Sequence, residues 1–501
     1  MKKLIDKLFN TRVSTSYMFI LFGVSALMLA GYFSYAWFTV QGVQQYSVVT
    51  GTLNGTVAIG ASSVAINGQG VITYTPTTDS DTITLTVKNT NDRTVKNSIY
   101  YYNLSDSSIE IGYASDSPTI PNTTGVSVAQ NNTLTYKIKI NNAKGKQIKI
   151  GSSIGLNNSN LTLPSGTTAF SLLKDSTGAE TLVAKANPET LDYNNATTDQ
   201  KNQMWAFTHE ATEQLKATTD YRYIGANPNN YVKFNDELWR IIGVFDVDDE
   251  TGNVEKRMKI IRNESIGGYS WDNKDTSTGA ENDYGTNNWL VARLNYLLNP
   301  GHESETYGGS LYWNRKSGTC YAGFNNATTQ CDFTSNGLTD EAKSMIGDAK
   351  WYLGGISSYT SSSNGLASHF YSYERGTTVY SGRNTNWTGK VGLMYPSDYG
   401  YATSGGSSTN RASCMAKELY NWDSTNYSDC KNNDWLYNSS AGQWTISPLV
   451  ASSVFRIVTD GFVDVAYYAS LTYAVRPVVH LKSTIKITSG TGSSTDPFIL
   501  G

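Results

Sequence analysis

Four cysteines, Cys320, Cys331, Cys414 and Cys430, are the most reactive side chains in this sequence, and all lie in its C-terminal half. No CxxC spacing occurs, and His209, His302, His369 and His480 are scattered singly, so a zinc centre is the weaker reading. An even number of cysteines in an exported chain reads as disulfides. Of the three pairings, the local ones are favoured, Cys320 with Cys331 and Cys414 with Cys430. The acidic run Asp246, Asp248, Asp249, Glu250 has the start of a calcium loop, but Gly252 comes one place too late and Arg257 stands where the bidentate acid belongs. It reads as a solvated hairpin tip. No catalytic residue, metal ligand or cofactor is predicted, and the chain reads as non-enzymatic.

The remaining candidates are aromatic. Tyr395, Tyr399 and Tyr401 fall within one short segment, and Tyr467, Tyr468 and Tyr473 fall in or beside the loop between late strands. Tyrosine offers broad, rigid contact area and a hydroxyl, which suits a glycan or surface-protein ligand. Packing inside a Tyr-rich fold is the alternative for each one taken singly. Arg476 and Trp444 are assigned to structure. Calcium-dependent sugar binding would want an acidic-amide-Pro motif and a Trp-Asn-Asp triplet, and the nearest match is Asn432-Asn433-Asp434-Trp435.

These residues need elements to hold them, and a place to be. Between Arg12 and Asp79 there is no Asp, Glu, Lys or Arg, and residues 17–38 are apolar and aromatic. About 20 such residues as a helix cross a bilayer. Lys2, Lys3, Lys7 and Arg12 ahead of them keep that end cytoplasmic, so the bulk of the chain is expected at the cell surface. Ser34-Tyr35-Ala36 also offers a signal-peptidase site, which leaves a cleaved signal after Ala36 as the alternative to an anchor. The 34 tyrosines, a net charge of −3 and a pI near 5.9 give no basic footprint, and nucleic acid is not an expected partner.

Past the apolar segment, Thr82-Ile83-Thr84-Leu85-Thr86-Val87 and Leu134-Thr135-Tyr136-Lys137-Ile138-Lys139-Ile140 alternate as half-buried strands should. Residues 44–166 are therefore expected to form an all-β sandwich, jelly-roll or Ig-like. Residues 167–220 read as a linker with a short helix around Gln203-Met204-Trp205-Ala206-Phe207. A hairpin turning at Asn235-Asp236, a strand over 257–262, a helix over 289–298 and a second helix from Thr339 to Gly354-Gly355 follow. Strands return at 390–394, 453–458, 462–465 and 473–481, and 486–501 reads as a closing strand and tail.

Two resemblances emerge from particular motifs. Phe33-Ser34-Tyr35-Ala36-Trp37-Phe38-Thr39 with Val49-Thr50-Gly51-Thr52-Leu53 resembles the TasA/camelysin group of exported Gram-positive proteins, whose members can assemble into fibres. Leu238-Trp239-Arg240-Ile241-Ile242-Gly243, Trp444-Thr445-Ile446-Ser447-Pro448 and Val475-Arg476-Pro477-Val478-Val479-His480-Leu481 resemble a recurrent, uncharacterised bacterial surface domain over 221–485. That resemblance implies an α+β, C-type-lectin-like fold, similar in outline to formylglycine-generating enzymes. Their oxidase chemistry requires reactive cysteines, and here the cysteines read as disulfides.

The sequence thus predicts a cytoplasmic basic segment (1–16), a transmembrane helix (17–38), a sandwich, a linker and a lectin-like distal domain. The expected partners are the membrane, through the N-terminal helix, and a glycan or surface protein. Self-assembly as a matrix or fibre subunit is the competing reading.

Overall fold

The computed structural model describes residues 20, 22–28, 53–67, 69–114, 117–118, 125–159, 161–173, 177–211, 217–249, 251–273, 284–355, 365–377, 382–449, 452–466 and 468–501. The chain is mostly β-sheet and divides into two compact units, residues 1–175 and 176–501. Residues 20 and 22–28 are helical. Among the described residues no helix is long and apolar enough to cross a membrane. The rest of the expected 17–38 span, and Ala36, lie outside them.

Ten strands of the first unit form one sheet. Alternation decides which side each residue takes: in Ser80–Asn89 the residues Ile83, Leu85 and Val87 are buried, and in Thr133–Asn141 so are Tyr136, Ile138 and Ile140. The two strands pair antiparallel with Ile83 opposite Ile138 and Leu85 opposite Tyr136, so both apolar rows enter one core with Val57, Ile148 and Ile150. Thr167–Ala169 lies at one end of the sheet and Glu110–Tyr113 at the other. The chain just past Ala169 joins these ends, since Tyr113 donates its N–H to Ser171 (2.7 Å) and accepts from Leu173 (2.8 Å). A polar pocket inside is satisfied: Asn97 donates to Ser152 Oγ (2.7 Å) and accepts from the Tyr136 hydroxyl (2.8 Å).

The second unit is built on a nine-stranded sheet whose centre is the pair Glu237–Asp248 and Val254–Arg262. Tyr231–Phe234 turns into Glu237–Asp248 at Asn235 and Asp236, with φ of 57° and 60°, the left-handed pair that a type I′ hairpin demands. A five-stranded sheet contains Gln443–Pro448, Val454–Ile457 and Val463–Ala466. Ile487–Ser489 and Phe498–Leu500 also join the large sheet, the latter running parallel to Tyr231–Phe234.

Several expectations are corrected. The helix expected at 203–207 is a strand, Trp205–His209, paired with Thr218–Arg222; Trp205 and Phe207 are buried two apart, a strand's period, and the helix before them, Thr198–Lys201, has already ended. Residues 167–175 belong to the first unit and 176–220 to the second. The helix opened by Thr339 spans only Asp340–Met345, and Ala349–Tyr352 is a strand paired with Asn386–Gly389. The single strand expected over 473–481 is two, Thr472–Ala474 and Val478–His480, in different sheets; Pro477 between them has no N–H for a ladder.

Both local disulfides are present, Cys320–Cys331 with Cα atoms 5.9 Å apart and Cys414–Cys430 at 5.5 Å. The first ties the hairpin Ser317–Tyr321 and Thr328–Asp332, and the second ties Arg411–Met415 to Ser428–Asn432. Each constrains the unfolded chain by roughly 2 to 4 kcal/mol.

Candidate binding cleft of the second unit

Two of the expected site tyrosines are turned away from any surface. Tyr399 is 0% exposed and donates its hydroxyl to Gly461 O (2.7 Å), while Tyr395, at 4%, accepts from the Tyr352 N–H (2.8 Å). Both are core residues. Tyr473 packs edge-on against Trp444 with ring centroids 4.8 Å apart, and Tyr468 stacks on Tyr284 at 4.1 Å. Tyr467 lies outside the described residues. Trp444 and Arg476 are structural: the indole donates to Tyr269 O, and the guanidinium donates to Arg262 O and to Gln443 Oε1, so its partner is an amide and not a loop carboxylate. Of the five described, Tyr401 lines a large cavity.

That cavity is a cleft of about 730 Å³ lined by side chains from Trp205–His209, Thr218–Arg222, Glu237–Asp248, Val254–Arg262, Ala349–Tyr352, Ala367–Arg375, Asn386–Gly389 and Pro396–Ala402. Its floor starts from strand alternation, which puts Asp220 and Arg222 on one face, two residues apart. Arg222, 1% exposed, donates to Asp220 Oδ2 (2.9 Å) and Asp398 Oδ1 (3.0 Å) and lies between the rings of Phe245 and Tyr401. Lys259 donates to the other oxygen of Asp398 (2.5 Å). Asp398, the third residue of Pro396–Ala402, also accepts from the N–H of the helix's N-terminal cap, Tyr395 (2.9 Å). Burial alone would raise both carboxyls, but Arg222 with His209 and Arg375 holds Asp220 below the usual carboxylate range, and Lys259 with Arg222 does so for Asp398. Burial lowers the Lys259 ammonium.

One wall comes from the helix Ala367–Arg375. Tyr371 and Arg375, four residues apart, share a face, and the guanidinium lies 3.5 Å from the Tyr371 ring centroid. His209 stacks on the same tyrosine at 3.7 Å with an 8° interplanar angle. Its Nε2 is 3.2 Å from Asp220 Oδ2 at an angle that is not a hydrogen bond. Behind Arg375 sits Glu374, 1% exposed, whose two oxygens accept from Ser397 N (3.0 Å) and Ser397 Oγ (2.5 Å); burial lifts its carboxyl to about 7. Across the cleft, Asp248 pairs with Lys350 (3.2 Å) and Asp246 with Lys256 (2.8 Å).

No protein-family model, curated protein or solved structure matches the chain.

The cleft must therefore be read from its own chemistry. It joins the half-exposed ring of Tyr401, carboxylate acceptors (Asp246, Asp248) and the guanidinium of Arg375. Among the described residues, no group of three or more His, Cys, Asp or Glu side chains could hold a metal ion. The acidic run divides: Asp249 accepts from the Thr251 and Asn253 N–H groups at the hairpin tip, as its sequence suggests, whereas Asp246 and Asp248 line the cleft.

Proposed function

We propose that this is an exported bacterial surface protein, anchored in a Gram-positive membrane by residues 17–38, whose second unit is a non-catalytic binding module using the cleft as its ligand site. On this reading the first unit is a jelly-roll or Ig-like stalk and the second a C-type-lectin-like domain. The carrying observation is the cleft itself: it combines about 730 Å³ of space with aromatic side chains and hydrogen-bonding groups from several elements, a lining suited to a polar ligand such as a glycan. The two disulfides fit an oxidising, extracytoplasmic setting. The fibre-subunit reading would recruit free sheet edges. It gains less support, because residues 171–173 join the two ends of the first unit's sheet.

A screen of the purified full chain against immobilised glycans and surface proteins tests this. Capture is expected, and the double change Lys350→Ala, Asn386→Ala at the rim should weaken it at least tenfold with little change in Tm. Capture unaffected by these rim changes, or no capture in the whole screen, would reject the cleft as the site.

A further inference from the structure

Resting on the reading of the cleft as a ligand site, we infer that it takes an acidic saccharide whose carboxylate docks on the free edge of the Arg375 guanidinium while its hydroxyls meet Asp248 and Lys350. An arginine carries five N–H donors in a planar fork. Only Nη1 of Arg375 is engaged, by long contacts to Tyr371 O (3.4 Å) and Glu374 Oε2 (3.3 Å). Nε and Nη2 have no hydrogen-bond partner among the described residues, and the side chain lines the cleft. A fork with two adjacent open donors matches a carboxylate bidentately.

Charge on the floor points the same way. The cations are Arg222, Lys259 and Arg375; Asp220 and Asp398 compensate the first two through direct contacts. The third carboxyl, Glu374, accepts from Ser397 through both oxygens and meets only Nη1 of Arg375, at 3.3 Å. That leaves Nε and Nη2 of Arg375 without a carboxylate among the described residues.

The lining also narrows the ligand. Glu210, Asp246 and Asp248 edge the same space, so a polyphosphate would meet three carboxylates. Those carboxylates are good acceptors for sugar hydroxyls, and Asp248 Oδ1 is a buried acceptor with no hydrogen-bond partner. The half-exposed ring of Tyr401 supplies an apolar face for a pyranose.

Calorimetry on the purified full chain can test this with oligosaccharides ending in a hexuronic acid or a sialic acid, beside their methyl esters, sulfated analogues and an acidic peptide. At least one acid should bind tenfold or more tighter than its ester, and which one binds identifies the sugar. Arg375→Lys, keeping charge without the fork, should weaken the acid at least tenfold while leaving the ester within twofold. The ester comparison needs no variant, so it holds even if Arg375→Lys unfolds. Equal binding of acid and ester would overturn the carboxylate assignment and leave the cleft a neutral-sugar site. Binding of sulfated chains only, or of the peptide only, would also overturn it. Binding of none, together with no capture in the wider screen, would remove the ligand site itself.

Discussion

Glu374 carries the clearest single-residue consequence of the cleft. Its carboxyl ordinarily titrates near 4.5 and is lifted to about 7 by burial. The folded state therefore holds this proton more tightly than the unfolded chain, and the stability it contributes is fully present below 4.5 and lost as pH rises through about 7. The loss is on the order of 3 kcal/mol at most. Glu374→Gln should flatten that part of the profile: denaturant midpoints at pH 5 and pH 8 should differ clearly in the parent and much less in the variant. A parent profile already flat across this window would show that the buried site tolerates the carboxylate. At this scale the sequence was least informative. Tyr395, Tyr399 and Tyr401 sit close together in the chain, yet a short helix sends the first two into the core, and composition does not record which way a tyrosine faces. His209, Asp220, Tyr371 and Arg375 come from distant segments, so no local motif unites them. Two signals were nonetheless readable: Asp220 and Arg222 alternating on one strand face, and Tyr371 and Arg375 at helical spacing.

Between elements, the wall of the cleft depends on how closely two short helices approach. A Cβ on Gly400 would stand 2.6 Å from the Ala367 Cβ and 3.0 Å from Leu419 Cδ2, so Ala367–Arg375 can lie against Pro396–Ala402 only with glycine there. Gly400→Val should push the helices apart, costing about 1 to 3 kcal/mol by overpacking. It should also displace Tyr371 and Arg375, so ligand capture ought to fall further than the loss of stability explains. Retained capture with a lowered Tm would mean that the wall moves as one body. Hairpins were legible because turn chemistry is local: Asn235-Asp236 adopts the left-handed backbone that its residue types favour. Trp205–His209 and Ala349–Tyr352 were misread as helical because a buried strand and one face of a helix both present apolar residues in short runs. Their partners, Thr218–Arg222 and Asn386–Gly389, decide the matter, and pairing is not written in either segment alone.

Across the whole molecule, alternating strands and turn residues revealed the β-sheet of the first unit, and local cysteine spacing revealed both disulfides. The boundary was placed too early, at 166, because Thr167–Ala169 is too short to show a pattern, although its pairing with Tyr100–Tyr102 ties it to the first unit. At the far end, Phe498–Leu500 pairs with both Tyr231–Phe234 and Ile487–Ser489. Deleting residues 487–501 should strip a hairpin from that sheet, expose Val232 and Phe234 and lower Tm by several degrees, read by calorimetry; an unchanged Tm would make the hairpin an ornament. This places a constraint on biogenesis. Synthesis from the N-terminus delivers residues 231–234 early, and that strand's flank must stay open until residues 498–500 follow. Chains cut short before that point would carry an unfilled sheet position, a mark by which proteases could tell them from full-length copies.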